Sequence, residues 1–469
     1  MNISRRFFIG GAASFGAFGG CRLFTAHDYR CGGTPNLKFG VVSDIHIIAE
    51  NTDRGHQGNT RTLKRTLRWF DAQGADGVVI AGDMADAGLI SQLQCVADAW
   101  NAVFPGNRSK LDGRPVEKLF VYGNHDWEGF NYGYNIFNVQ SGELPADMIR
   151  NVGMKKVWEE VFEEAYSPIY RKEIKGYSFI GAHWDGTNGS GWGNGPDLAP
   201  FFAAHGKELD PALPFFYFQH PHPKDTCYGS WAWGHDKGVS TKVLSDYPNA
   251  IAFSGHSHRP LTDERSYWRG EFTSIGTSTL SYVCLPYNGH MNTPNYRENL
   301  DCRHGQIVSV FDNRLEIERR DFIHDESLGD VIVLPMPTEV GSFAVRGVKR
   351  SALPAFPDNA SLVMSREKEG VSFLFPAAFA NPSARPYDYS IWCTFTIRDK
   401  DGKVTKKQVN HIFFQPDFCF SRARSASSVV VSFVLKGEDI PAEFESAEDS
   451  VYARNNFGGQ APTRLTGKL

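Results

Sequence analysis

Five short polar segments, each at the end of an apolar run, constrain the fold of this 469-residue chain more than any other feature. The apolar runs have the length and composition of buried β-strands. The polar segments are rich in histidine, aspartate and asparagine, which bind metal ions through nitrogen and oxygen. In chain order the runs read LKFGVV, GVVIA, KLFVY, FFYF and AIAF, and the segments read SDIH, GDMAD, GNHD, QHPH and GHSH. Five such segments at strand ends indicate the rim of one site for two metal ions.

The order of these elements predicts an α/β fold. Between the first two apolar strands, Leu63, Leu67 and Phe70 recur at the spacing of one helix face, and a second helix is predicted over about residues 91–102. Strand–helix–strand alternation is typical of a sheet covered by helices, in which ligands bind beyond the carboxyl ends of the strands. All five polar segments fall at that edge.

The composition excludes several classes of partner. The formal net charge of −4 gives no broad basic surface for nucleic acid or an anionic membrane. An apolar fraction of 41% with 22% charged residues is ordinary for a soluble globular protein. Because no run of about 20 apolar residues follows the N-terminal segment, we expect no membrane-spanning helix there.

Residues 1–30 are predicted to be an export signal. Arg5 and Arg6 precede a Gly- and Ala-rich apolar stretch, residues 7–20, that is too short for an ordinary transmembrane helix. The SRRxFI pattern resembles a twin-arginine signal, which exports folded proteins. We therefore expect a periplasmic or cell-envelope location. Cys21 is a candidate lipid-anchor site, although Phe18 stands where such sites usually carry a smaller aliphatic residue.

Two domains are predicted after this signal. Residues 36–328 carry all five polar segments and are predicted to be the catalytic domain. A break with prolines in the sequence DVIVLPMPT is followed by short alternating strands, which predict a β-sandwich over residues 340–469. The segment VYARNNFGG near the C-terminus resembles the last strand of fibronectin type III domains. We therefore expect an all-β, fibronectin- or immunoglobulin-like domain there.

Taken in order, the motifs D-x-H, G-D, G-N-H-D, H and G-H-x-H resemble those of the calcineurin-like metallophosphoesterase superfamily. The match covers roughly residues 37–325. It implies an α/β fold in which a two-layer β-sandwich is flanked by helices. It also implies two metal ions: the first held by Asp44, His46 and His258, the second by Asn124, His220 and His256, with Asp83 bridging both.

The residue types in this set fit two divalent cations. Ions about 3.5–4 Å apart need a shared anionic ligand, which Asp83 can provide. Asp44 and His46 point the same way in an extended chain and can reach one ion together. Imidazole, carboxylate and amide oxygen suit manganese, iron or zinc. His222 is the alternative to His220, which we prefer because it follows the apolar run directly.

The resemblance also implies a reaction. A hydroxide that bridges the two ions attacks phosphorus in line, and His125 protonates the leaving oxygen as general acid. A nearby carboxylate should hold His125 as imidazolium. Asp86 matches the family position that often makes this pair. Asp126 is a second candidate, which could instead orient a metal-ligand histidine.

The motifs indicate a phosphoester substrate without choosing between a phosphomonoester and a phosphodiester. Ala87 and Asp126 stand where protein serine/threonine phosphatases usually carry Arg and Glu, so that activity is not expected. Asp86 stands where purple acid phosphatases carry a tyrosine, so an iron–tyrosinate centre is not expected.

Two questions stay open from the sequence alone. Tryptophans in the long loops could stack on a nucleobase or sugar, or could pack as local core; they are Trp127, Trp184, Trp192, Trp231 and Trp233. The rival to an enzyme is a catalytically idle scaffold that acts as a cell-surface binding module through its C-terminal domain.

Overall fold

A computed structural model describes most of the chain after the predicted signal. The described residues are 33–48, 57–129, 146–184, 196–230, 232–286, 295–298, 301–337, 353–368, 370–378, 386–414, 416–421, 430–437 and 440–469. The predicted signal segment, the candidate lipid-anchor cysteine at position 21 and two of the loop tryptophans, Trp192 and Trp231, lie outside these ranges. Among the described helices, none has the length and apolar character needed to cross a membrane.

Strands and helices alternate through the first part of the chain. The helices are α1 (Gln57–Ala72), α2 (Ile90–Val103), α3 (Asn124–Glu128), α4 (Ile149–Val152), α5 (Met154–Phe162), α6 (Leu198–His205) and α7 (Val239–Leu244). The strands are β1 (Leu37–Val42), β2 (Gly77–Ala81), β3 (Glu117–Val121), β4 (Ile169–Ile174), β5 (Tyr177–Ala182), β6 (Phe215–Gln219), β7 (Ala250–Ser254), β8 (Tyr267–Arg269), β9 (Thr273–Gly276), β10 (Val283–Pro286), β11 (Asn295–Glu298), β12 (His304–Val310), β13 (Arg314–Asp321), β14 (Glu326–Ser327) and β15 (Ile332–Pro335).

Two sheets stack face to face in this part. One has the strand order β14-β13-β12-β1-β2-β3, with β15 paired to β13, and the other has the order β4-β5-β6-β7-β9-β8. Strands β1, β2 and β3 are parallel, whereas β12 is antiparallel to β1. Aromatic rings fill the layer between the sheets, where the Phe39 ring centroid lies 5.0 Å from Phe179 and 4.6 Å from Phe216. Each such buried ring contributes about 1.5–3 kcal/mol of apolar burial. The predicted α/β fold is confirmed, and the structure shows that the first sheet mixes parallel and antiparallel strands.

Helices cover the outer face of each sheet. On the first sheet, α1, α2 and α5 pack through buried residues that include Leu67, Trp100 and Val157. On the second sheet, α6 and α7 pack through Phe202 and Leu244. All five residues of β2 are buried, as expected for a central parallel strand covered on both sides. The predicted helix that carries Leu63, Leu67 and Phe70 corresponds to α1, and the helix predicted over about residues 91–102 corresponds to α2.

The described C-terminal residues form two antiparallel sheets around a common apolar core. Their strands are β16 (Val363–Glu367), β17 (Gly370–Pro376), β18 (Asp388–Arg398), β19 (Val404–Phe414), β20 (Val430–Lys436), β21 (Ser446–Arg454) and β22 (Leu465–Lys468). One sheet has the order β16-β17-β20 and the other β19-β18-β21-β22. Phe373, Ile391, Phe433 and Val451 are among the core residues that the two sheets share. The expected all-β sheets are present, and the fibronectin- or immunoglobulin-like assignment stays a prediction.

The boundary between the two predicted domains falls within a continuous body. By their contacts, Gly33–Leu469 group as one compact unit. Strand β15, beyond the predicted boundary at residue 328, pairs with β13 and extends the first sheet to at least Pro335. The division into two domains stays a prediction.

Candidate metal centre

The ends of strands from both sheets meet at one edge and bring the predicted ligands together. Ligand atoms of Asp44, His46, Asp83 and His258 lie within 4.8 Å of one another, and so do those of Asp83, His220 and His256. All six of these residues are buried. Asp83 belongs to both clusters, so the structure places it where a shared ligand would lie.

In the first cluster, hydrogen bonds turn the ring nitrogens toward a common point. His46 Nδ1 bonds Asp86 Oδ1 at 3.0 Å, and His258 Nδ1 donates to the Tyr282 carbonyl at 2.8 Å. Both Nε2 atoms therefore face inward, 3.0 Å apart. Asp44 Oδ1 lies 3.0 Å from His258 Nε2. Because the outer nitrogens are committed as donors, the inner ones offer lone pairs to a cation or a proton.

The second cluster follows the same pattern. His220 Nδ1 donates to the Ala81 carbonyl at 2.8 Å, so its Nε2 faces the cluster. That Nε2 lies 3.1 Å from Asp83 Oδ2 and 3.1 Å from His256 Nδ1. Asn124, the remaining predicted ligand, is buried at the start of α3. Its neighbour His125 donates its backbone N–H to Asp83 Oδ1 at 2.8 Å, which places this turn beside the shared carboxylate.

Five of the predicted ligand residues adopt the left-handed backbone conformation that non-glycine residues seldom use. Their φ angles are 52° for Asp44, 49° for His46, 52° for Asp83, 68° for His256 and 54° for His258. Each costs of order 1–3 kcal/mol and persists only where the surrounding structure imposes it. Such strain clusters at functional sites.

Two motif glycines are explained by the close approach of ligand carboxylates. A Cβ atom at Gly123 would collide with the Asp83 carboxylate, and one at Gly255 would collide with that of Asp44. Glycine is therefore needed here because it lacks a side chain. The glycine before the ligand in the G-N-H-D and G-H-x-H motifs is part of the same geometry.

The charges of the clusters suit a cation. Burial alone would raise the pKa of Asp83, but His220, His125 and His46 together lower it well below its ordinary value. The pKa of Asp44 is also lowered, because His258 outweighs the effect of burial. Against burial, Asp83 raises the pKa of His220 to about 9. A proton and a metal ion thus compete for the inward-facing atoms, and metal binding should release protons.

Comparison with known proteins agrees with this geometry. Residues 37–260 match the family described as calcineurin-like phosphoesterase, and this range contains every predicted metal ligand. Residues 37–260 form a calcineurin-like phosphoesterase domain. The predicted superfamily is therefore confirmed for this part of the chain, and the domain supports a metal-dependent phosphoester hydrolase.

Solved structures similar to the phosphoesterase domain include two phosphatases. A dimetal phosphatase from Danio rerio is 13% identical, with 64% of this chain and 99% of that chain covered and a TM-score of 0.38. A purple acid phosphatase from yellow lupin (Lupinus luteus) seeds is 14% identical, with 64% of this chain and 55% of that chain covered and a TM-score of 0.38. No match was found among curated proteins.

The predicted general acid of the phosphoesterase domain lies beside the first cluster. The His125 ring centroid is 4.5 Å from that of His46. His125 Nδ1 bonds the Asp86 backbone carbonyl at 2.7 Å. Burial lowers the pKa of His125 to about 4, although Asp83 and Asp86 oppose that effect. Asp86 therefore contacts His125 through its backbone carbonyl, whereas its carboxylate Oδ1 bonds to His46.

Asp126 connects two turns of the phosphoesterase domain. Its Oδ1 accepts the Ala85 N–H at 2.6 Å and its Oδ2 accepts the Gly123 N–H at 2.7 Å. Asp126 is fully buried, and burial raises its pKa to about 7. Both oxygens therefore join the G-D turn to the G-N-H-D turn. The catalytic or histidine-orienting role expected for Asp126 stays a prediction.

His222 lies outside both clusters. Its Nδ1 bonds Ser254 Oγ and its Nε2 bonds Ser257 Oγ, both at 2.7 Å. Both ring nitrogens of His222 thus form hydrogen bonds with serine hydroxyls. Of the two histidines in the QHPH segment, the structure brings His220 to the clusters.

Two aromatic side chains flank the histidines and are not evident as site residues from the motifs. Trp233 stacks on His256 with centroids 4.7 Å apart and planes 15° apart, and Tyr282 lies 4.3 Å from His258. Of the other loop tryptophans, Trp184 is buried in the core of the first sheet and Trp127 packs against it. In the sequence, the place of Trp233 in an aromatic loop was a signal that it could lie at the site, whereas no such signal pointed to Tyr282.

Proposed function

We propose that this chain is an exported hydrolase that uses two divalent cations to cleave a phosphomonoester or a phosphodiester. The observation that carries the proposal is the convergence of two ligand clusters on one carboxylate, Asp83. A scaffold retained only for binding has no evident need for this convergence or for five strained backbone positions. The substrate class and the export of the protein go beyond the fold and rest on the arguments below.

The donor set fits two ions of manganese, iron or zinc. The first would be held by Asp44, His46 and His258, the second by Asn124, His220 and His256, and Asp83 would serve both. Bound there, the ions would activate a water molecule near neutral pH and neutralise the phosphoryl oxygens. The chain's own part is to fix each donor atom through outward hydrogen bonds such as His46 to Asp86.

His125 is proposed to protonate the leaving oxygen. Its Nδ1 is fixed by the Asp86 carbonyl, so Nε2 is the atom that would hold and deliver the proton. Burial lowers the pKa of His125 to about 4, and the negative charge of a bound phosphoester would oppose that effect.

A comparison of variants tests the function. The full chain is assayed with chromogenic phosphate mono- and diesters, with and without Mn²⁺. We expect His125→Ala to reduce turnover by about 10²–10⁴-fold while metal content stays at the wild-type level. Asp83→Ala should lose both turnover and metal. His205→Ala, in α6 and partly exposed, is the matched control and should retain both.

Two outcomes would contradict the proposal. If wild-type protein with two bound ions leaves every ester intact, the binding-module hypothesis is favoured. If His125→Ala turns over at the wild-type rate, another group donates the proton.

We also propose that residues 1–30 direct export and that Cys21 carries a lipid anchor. The support is the paired arginines before a short apolar stretch, together with the position of the cysteine. Cell fractionation tests both parts. Replacing Arg5 and Arg6 with Lys should retain the protein in the cytoplasm, and Cys21→Ala should shift it from the membrane to the soluble envelope fraction.

A further inference from the structure

A groove of about 810 Å³ crosses the outer face of the C-terminal sheet β19-β18-β21-β22. Side chains alternate along β18, so Ile391 and Cys393 face the core whereas Trp392 faces outward. Cross-strand neighbours on the outer face include Ser450, opposite Trp392, and Gln408, opposite Thr394. The groove therefore follows from the alternation of the strands.

An exposed tryptophan forms part of the groove surface. The side chain of Trp392 is 40% exposed, the largest exposed aromatic among the described residues. Its Nε1 donates to Ser390 Oγ at 3.0 Å, which fixes the orientation of the ring. Because the polar edge of the indole is already engaged, the exposed part is an apolar surface. An indole held in this way gives contact area at a low cost in conformational entropy.

Hydrogen-bonding groups surround the tryptophan. Arg464 Nη1 donates to the Tyr452 hydroxyl at 3.1 Å, and Lys468 pairs with Glu448 at 3.0 Å. The amide of Gln408 adds both a donor and an acceptor. The lining carries two basic side chains, Lys468 and Arg464, and two acidic ones, Glu448 and Asp449, so the groove offers many polar contacts with little net charge. This balance fits a neutral ligand rich in hydroxyl groups better than a polyanion.

We propose that this groove binds a neutral oligosaccharide. A sugar ring has an apolar C–H face that can stack on an indole and hydroxyl groups that can reach the surrounding side chains. The groove volume lies within the roughly 300–1,000 Å³ typical of small-molecule sites. This binding does not depend on the phosphoesterase activity, because the groove residues all lie between Trp392 and Lys468, in the C-terminal part of the chain. It would hold the domain at a glycan-bearing surface.

Affinity electrophoresis of the full chain tests this site. The protein is run through native gels that contain mannan, laminarin, xyloglucan or galactomannan. We expect at least one polysaccharide to retard the wild-type chain, and Trp392→Ala to raise the dissociation constant by about tenfold or more. Leu374→Ala is the matched control, because Leu374 is 45% exposed on the other C-terminal sheet.

The outcomes separate the alternatives. Equal mobility of the wild type with and without every polysaccharide would overturn the proposal, as would equal retardation of wild type and Trp392→Ala. A further gel contains dextran sulfate, a polyanion. Retardation in that gel alone, lost at high salt, would show ion exchange and would also overturn the proposal. If Trp392→Ala fails to fold, the exposed pair Gln408→Ala and Arg464→Ala takes its place. Ester hydrolysis should be unchanged in all of these variants.

Discussion

At the scale of single residues, two aspartates of neighbouring motifs have different tasks. Asp86 Oδ1 orients the ring of His46, and Asp126 holds two backbone N–H groups. The sequence places both near the metal turns, because motif spacing fixes distance along the chain. It does not fix the direction of a carboxylate, which depends on groups such as the Ala85 N–H that arrive from another turn. The hydrogen bonds that Asp126 makes to two backbone N–H groups were therefore beyond prediction.

This difference can be measured. Asp86→Asn weakens the hydrogen bond that orients His46, so Mn²⁺ affinity should fall by about 10–100-fold with little change in the melting temperature of the metal-free protein. In Asp126→Asn, the side-chain NH2 group faces one of the two buried backbone N–H groups and cannot accept its hydrogen bond. The free energy of unfolding should therefore fall by about 1–3 kcal/mol. Calorimetric Mn²⁺ titration and thermal melting read the two effects separately. Equal losses of metal affinity in both variants would contradict the assignment.

At the scale of elements, the strands and helices were predictable and the turns between them were only partly so. The apolar runs predicted β1, β2, β3, β6 and β7, because burial on both faces imposes a continuous apolar sequence. The left-handed turns at their ends were not predictable, because φ above zero is imposed on Asp44 or His258 by tertiary contacts. The short helix α3 also escaped prediction, since GNHD carries no helical periodicity.

A glycine substitution tests whether the turns are built around the metal ligands. Gly123 has φ −106°, which alanine also adopts, so Gly123→Ala acts through its collision with the carboxylate and the backbone nitrogen of Asp83. We expect Mn²⁺ affinity to fall by at least about tenfold. The matched control is Gly106→Ala, because Gly106 has φ 60° and open space around it, so only stability should fall, by about 1 kcal/mol. Wild-type metal affinity in Gly123→Ala would contradict this account.

At the scale of the whole molecule, the chain that follows the GHSH segment contacts residues next to the C-terminal strands. Thr262 Oγ1 donates to the Phe418 carbonyl at 2.6 Å, and Asn456 Nδ2 donates to Asp263 Oδ1 at 2.9 Å. The Arg265 guanidinium lies 5.8 Å from the Tyr387 ring centroid. No local pattern predicts these contacts, because they join residues more than 100 positions apart. The sequence therefore predicted two parts and not the interface between them.

The buried ion pair at this interface gives a pH-dependent prediction. Asp263 is 1% exposed and accepts from Arg265 Nε at 2.9 Å and Nη2 at 2.6 Å. Burial alone would raise the pKa of Asp263, but Arg265 lowers it below the ordinary 3.8. A carboxylate with a lowered pKa in the folded state stabilises the fold above about pH 4, and this contribution is lost as the pH falls through the folded value.

Asp263→Asn should therefore lower the melting temperature at pH 7, where it removes the carboxylate that faces the partly buried Arg265 guanidinium, at a cost of about 1–3 kcal/mol. The gap between wild type and variant should begin to narrow as the pH falls below about 4, because Asp263 then takes up a proton in the unfolded wild type more readily than in the folded state. Thermal melts from pH 7 to pH 3 measure this gap, with the exposed Asp401→Asn as control. A difference in melting temperature that stays constant from pH 7 to pH 3 would contradict this account. It would show that Asp263 stabilises the interface through its hydrogen bonds to Arg265 and Asn456 and not through its charge.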